Sequence, residues 1–166
     1  MMKRLLLILG LAFVAFLATP KAGAQASGCG AEESDSILQP TDAIYEDALD
    51  LARILNEHHI TIQCVLTSKL GGFFLGTKGA VLYRTADGDV GALFLPKPRT
   101  FADLAIVERP ARNGFAYSFS GKPRPANAAR LESDHRQFFL KRDNTLLILG
   151  DEALKNKLAG ALNLPL

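Results

Sequence analysis

AVLYRTADGDVGALFLP, residues 80–96, places two apolar runs, AVLYRT (80–85) and VGALFLP (90–96), on either side of Ala86-Asp87-Gly88-Asp89. An Asp-Gly pair tolerates the left-handed backbone of a tight turn, so this stretch predicts an antiparallel hairpin. The arrangement recurs twice downstream. LAIVER (104–109) and GFAYSFSG (114–121) flank Pro110-Ala111-Arg112-Asn113, and RQFFLK (136–141) and TLLILG (145–150) meet at Arg142-Asp143-Asn144. The Pro-containing stretch 122–127 reads as a loop. No internal repeat is visible.

Working outward, HHITIQCV (58–65) opens a strand of period two, with Ile60, Ile62, Cys64 and Leu66 expected on one face. Ahead of it, Ile44, Ala48, Leu51 and Leu55 recur at helical spacing, with Thr41 or Asp42 expected as the cap and Glu46 and Asp47 suiting the positive end of the dipole. At the other end Asp151 should cap a last helix carrying Leu154, Leu158 and Leu162. The expected fold is α+β: a single domain, 41–166, with a mostly antiparallel sheet of about six or seven strands and an N-terminal and a C-terminal helix packed on it.

The first residues carry an address. Lys3 and Arg4 precede an uncharged run from Leu5 to Leu17, which gives way to small residues ending in Ala24-Gln25-Ala26. This is the order of parts in a secretory signal peptide, expected over 1–26. As a helix the run reaches only about 20 Å, short of a hydrocarbon core of roughly 30 Å, so no integral span is expected after cleavage. The alternative is a lipoprotein. ASGC, 26–29, resembles the lipobox of bacterial lipoproteins, which would anchor the chain through Cys29, although Ala26 stands where a larger aliphatic residue is usual.

Losing Lys3, Arg4 and Lys21 changes 19 Lys+Arg against 17 Asp+Glu into 16 against 17. Charge is segregated within what is left. Ser27–Glu57 holds eight acidic residues and Arg53 alone opposing them, whereas His58–Arg142 holds thirteen basic residues against six acidic ones. Either the two regions attract each other within the fold, or the basic middle meets an anionic component of the envelope or an acidic protein. Nucleic acid is a poor fit outside the cytoplasm.

Two cysteines, Cys29 in the extension 27–40 and Cys64 in the first strand, suit one disulfide in an oxidising compartment. It would close a loop of about 35 residues, worth roughly 3 to 4 kcal/mol by chain entropy. Lipidation of Cys29 would exclude it.

The motifs of catalysis and metal binding are missing. Adjacent His58 and His59 diverge on either a helix or a strand, so no metal and no cofactor is expected. GGFFLGTKG (71–79) approaches a phosphate-binding loop, but Thr77-Lys78 reverses its last two places and a strand pattern follows instead of a helix. Asp87-Gly88-Asp89 lacks the further ligands of a calcium loop. There is no G-x-S-x-G and no H-E-x-x-H; His135, near Asp134 and Glu132, lies in a polar segment.

Between 97 and 130 the chain gathers Lys97, Arg99, Arg109, Arg112, Lys122, Arg124 and Arg130 around FAYSFS, whose Phe115, Tyr117 and Phe119 share one face and Ala116, Ser118 and Ser120 the other. The aromatic row is expected in the core. The cations are candidates for binding an anionic ligand. The functional expectation is therefore a periplasmic or secreted, non-catalytic binding module, with an envelope hydrolase built on a histidine and carboxylates as the rival.

Overall fold

The computed structural model describes residues 38–68, 76–121 and 124–165, with backbone alone for 121 and 124–129. Its elements run α1 (Tyr45–Glu57), β1 (Ile62–Thr67), β2 (Gly79–Thr85), β3 (Gly88–Phe94), β4 (Ala105–Ala111), β5 (Gly114–Gly121), β6 (Arg124–Ser133), β7 (Phe138–Arg142), β8 (Thr145–Leu149) and α2 (Glu152–Ala161). The fold is α+β, but the strands form two antiparallel sheets in place of the one expected: five strands in the order β1-β2-β3-β8-β7 and three in the order β4-β5-β6.

Burial on both faces of β3 and β8 explains the division. Val90, Ala92, Phe94, Leu147 and Leu149 face the helices, joining Leu51, Leu55, Leu154 and Leu158 in one core. Leu93, Leu146 and Ile148 face the other way and meet Tyr117 and Phe119 of the three-stranded sheet. A single sheet with helices on one side would leave that second apolar face in water. The chain therefore leaves β3 through Leu95–Leu104 and returns as a separate meander over it.

The three expected hairpins form. In β2–β3, Thr85 pairs with Gly88 across Ala86-Asp87, and the Thr85 hydroxyl donates to the Gly88 carbonyl at 2.7 Å. The expected loop at 122–127 is corrected in part, since β6 begins at Arg124. Its sequence, RPANAARLES, has few apolar residues, so alternation is faint; at its described end Arg130 and Glu132 are exposed.

β1 departs from strict alternation. A bulge lies between Ile62 and Cys64: Ile62 is opposite Thr85 and Cys64 opposite the next residue, Arg84. The inserted residue, Gln63, changes the face of everything after it. Ile62 and Val65 therefore pack against the helix-side core, while Cys64 and Leu66 align with Arg84 and Leu82 on the opposite face. The expectation of Ile60, Ile62, Cys64 and Leu66 on one face is corrected accordingly. Cys64 is buried.

Both helices close alike. At the end of α1, Ile60 N–H donates to Leu55 carbonyl at 2.9 Å and His59 N–H to Asn56 carbonyl at 3.1 Å, with His59 at φ 59°. This is the Schellman motif, its apolar contact supplied by fully buried Leu55 and Ile60. At the end of α2, Leu164 donates to Ala159 at 2.8 Å and Asn163 to Gly160 at 3.3 Å, with Asn163 at φ 52°. The starts differ. Asp151 caps α2 as expected, accepting Leu154 N–H at 2.7 Å. Ile44 occupies the cap position of α1 without a side-chain bond, because the Asp42 carboxylate turns back to accept Gln39 N–H at 2.6 Å.

His59 thus holds a backbone conformation that costs an L-residue about 1 kcal/mol and glycine almost nothing. His59→Gly should raise stability by about 0.5 to 1 kcal/mol, read from the denaturant midpoint, while His58→Ala should leave it nearly unchanged.

Candidate functional site

The register of the three-stranded sheet sorts its residues. Phe115, Tyr117 and Phe119 turn inward, as expected, and Phe139 of β7 meets Tyr117 and Phe119 edge-on at centroid distances of 5.0 and 5.4 Å. The Tyr117 hydroxyl oxygen accepts Gln137 N–H at 2.6 Å, and burial raises its pKa. Beside it, Glu108 pairs with Arg136 at 3.1 Å.

The opposite face carries the cations. Across the strands, Arg109 aligns with Ala116 and Glu132, and Val107 with Ser118 and Arg130. Arg112 occupies the β4–β5 turn. Gly114 follows it at φ 127°, where a Cβ would lie 2.3 Å from the Ser133 carbonyl oxygen, so only glycine lets the turn close against the end of β6. Arg109, Arg112 and Arg130 are exposed, and none has an acidic partner among the described residues. Arg109 and Arg130 flank the small side chains of this face, with Glu132 in the same row as Arg109, and cations without an ion pair can take up anionic oxygens without first breaking one.

Lys97 and Arg99 are placed elsewhere. They line a cleft of about 340 Å³ between α1, the Lys97–Thr100 segment and the β7–β8 turn. Its organising group is Asp47, whose side chain is 10% exposed. Asp47 bridges Lys78 at 2.7 Å and Lys97 at 3.0 Å, and accepts from Asn144 Nδ2 at 2.9 Å. The same Asn144 nitrogen donates to the Leu95 carbonyl at 2.9 Å, so the turn, the strand end and the helix are joined at one point. Burial pushes the Asp47 carboxyl upward, but the bonds from Lys78, Lys97 and Asn144 and the Lys78 charge outweigh it and hold the group below its ordinary value of 3.8. Arg99 donates to the Gly76 carbonyl at 3.1 Å.

Of the seven basic candidates, the structure brings Arg109, Arg112 and Arg130 to one sheet and Lys97 and Arg99 to the cleft. Lys122 lies outside the described residues, and of Arg124 only the backbone is described. The histidines do not converge. His58 and His59 end α1, His135 is exposed between β6 and β7, and no group of three metal-ligating side chains occurs among the described residues. Thr77 and Lys78 run into β2, so the glycine-rich stretch is followed by a strand. Asp87 bonds Lys157 at 2.6 Å and Asp89 pairs with Arg84 at 3.4 Å, which accounts for both carboxylates of the hairpin. Cys29, the expected partner of the buried Cys64, lies outside the described residues. No helix among the described residues is long and apolar enough to cross a membrane. Comparison with protein-family models, with curated proteins and with solved structures finds no match for this chain.

The Asp47–Asn144 contact joins residues 97 positions apart, and nothing in the local sequence marks it. Asp47→Ala should cost about 2 kcal/mol, since it strands the half-buried Lys78 and one bond of Asn144. Because the native carboxyl titrates below the unfolded one, its contribution is present above about pH 4 and is lost as pH falls through the lower native value. Acid unfolding curves should show that loss in the wild type and not in Asp47→Ala.

Proposed function

We propose that this is an exported protein of the cell envelope that binds anionic material or an acidic partner through the outer face of its three-stranded sheet. The observation that carries the reading is the trio Arg109, Arg112 and Arg130, exposed and without acidic partners among the described residues, near the small residues Ala116 and Ser118. Several other cations pair with carboxylates: Arg53 with Asp50 and Glu57, Lys78 and Lys97 with Asp47, Arg136 with Glu108 and Lys157 with Asp87. An arginine fork suits carboxylate, sulfate and phosphate oxygens alike. The apolar run at Leu5–Leu17 and the sites after it support export, with Cys29 joined to Cys64.

Vesicles with anionic lipid and a sulfated polysaccharide column supply the test. At low salt both should retain the protein, and retention should fall as salt rises. Changing Arg109, Arg112 and Arg130 together to Ser should weaken vesicle binding roughly 100-fold, at about 1 kcal/mol for each cation near an anionic surface. Unchanged binding by that variant would remove the sheet face from consideration.

Export and the bridge have their own measurement. The unreduced, denatured protein from the envelope fraction should begin near Ser27 by intact mass and take up no thiol label. A lipid mass on Cys29, or two labelled thiols, would contradict this part of the reading.

A further inference from the structure

Among the described residues, the acidic and basic regions of the sequence meet in ion pairs only at Asp47, which bonds Lys78 and Lys97. α1 and the three-stranded sheet cover opposite faces of the five-stranded sheet, so their outer surfaces point away from each other. Asp47 is the one acidic residue of α1 bonded to the basic middle of the chain among the described residues. The exposed side of α1 shows Glu46, Asp50 and Glu57 with Arg53, whose guanidinium is already shared between Asp50 at 2.7 Å and Glu57 at 2.8 Å. Within that acidic surface lies Leu49, 47% exposed. On the far side, Val107, 44% exposed, shares its face with Arg109, Arg130 and the exposed Glu132, and Arg112 lies in the adjoining β4–β5 turn. These two are the exposed large hydrophobic residues of the described structure, and the net charge of the residues named around each is opposite to the other's.

We propose that the acidic partner of the three-stranded face is α1 of a second copy of this chain. The inference rests on the reading of that face as a surface for acidic partners, and names the partner. Dimensions agree: the helix stripe from Glu46 to Glu57 is about 16 Å long, and the sheet offers three strands, about 10 Å across and about 24 Å long. Leu49 then covers Val107, while Glu46, Asp50 and Glu57 meet the arginines. A footprint of a few hundred Å² is far below the ~800 Å² per partner of stable complexes, so the contact forms only at high concentration and low salt. Because the two surfaces differ and lie on opposite sides, the contact is head-to-tail and leaves one of each unused at the ends. It therefore propagates into chains and does not stop at a pair.

Sedimentation velocity on the purified protein tests this. At low salt the weight-average mass should rise with concentration past that of a dimer, and at high salt it should return to that of a monomer. Arg109→Glu with Arg130→Glu should abolish the rise, and so should Glu46→Lys with Asp50→Lys. Mixing these two double variants should restore association, since the acidic sheet of one now meets the basic helix of the other; restoration also shows that both are folded. Folded variants, by circular dichroism, that stay monomeric on mixing would overturn the proposal. So would a wild type that is monomeric at every concentration at low salt. If that monomer still binds anionic vesicles, the anion-binding reading stands without self-association; if it binds nothing, both fall.

Discussion

The strands β3 and β8 have no face left for water, and most of the architecture follows from covering them. Each carries large apolar side chains in both directions, so one layer above the sheet is insufficient. The helices supply one cover and the β4–β6 meander the other. α1 and α2 thus form one layer and the β4–β6 meander another, on opposite sides of the central sheet. The separation of acidic and basic surfaces in space is a by-product of this layering, acting on a sequence in which the two signs were already apart.

Polar contacts then fix how the layers meet. On the helix side, the Tyr83 hydroxyl donates to the Ala48 carbonyl at 2.8 Å in full burial, and the phenol is pushed well above its ordinary range by burial and by the charges of Asp47 and Asp50. Asp47 and Asn144 tie the same helix to the β7–β8 turn. Lys157 of α2 reaches both Asp87 and the His59 carbonyl, the latter at 3.4 Å. Lys141 donates to the carbonyls of Ala102 and Leu104, both at 3.1 Å, holding the segment that leads into the second sheet. Apolar burial is non-directional, and bonds of this kind select one arrangement among those that bury similar area.

Local chemistry was readable in the sequence wherever it decides structure by itself. Asp87-Gly88 and the turn at Asp143-Asn144 announced their hairpins, Asp151 announced α2, and alternation in FAYSFS gave the inward aromatic row. Partition into two sheets was harder to read, because periodicity marks a strand but not its neighbour. A signal was nevertheless present: VGALFLP and TLLIL are continuous apolar runs, the pattern of strands buried on both faces. The bulge at Gln63 leaves no such trace, since one extra residue in an alternating run looks like more of the same run. Of the candidate site, the residue types were legible and their grouping was not. Lys97 and Arg109 are close in sequence, yet the chain between them crosses from one sheet to the other.

That extra residue at Gln63 also bears on how the molecule avoids its own kind of error. β1 borders the five-stranded sheet, and an even border would be a template for another chain's backbone. The bulge interrupts its ladder. The opposite border, β7, is only five residues long. In the three-stranded sheet both borders contain proline, Pro110 in β4 and Pro125 in β6, each lacking an N–H to offer. All four rims are therefore blunted by different means, and growth by adding strands is discouraged. What the molecule leaves open to other molecules is its faces, where recognition depends on side chains and charge, and on the salt around them.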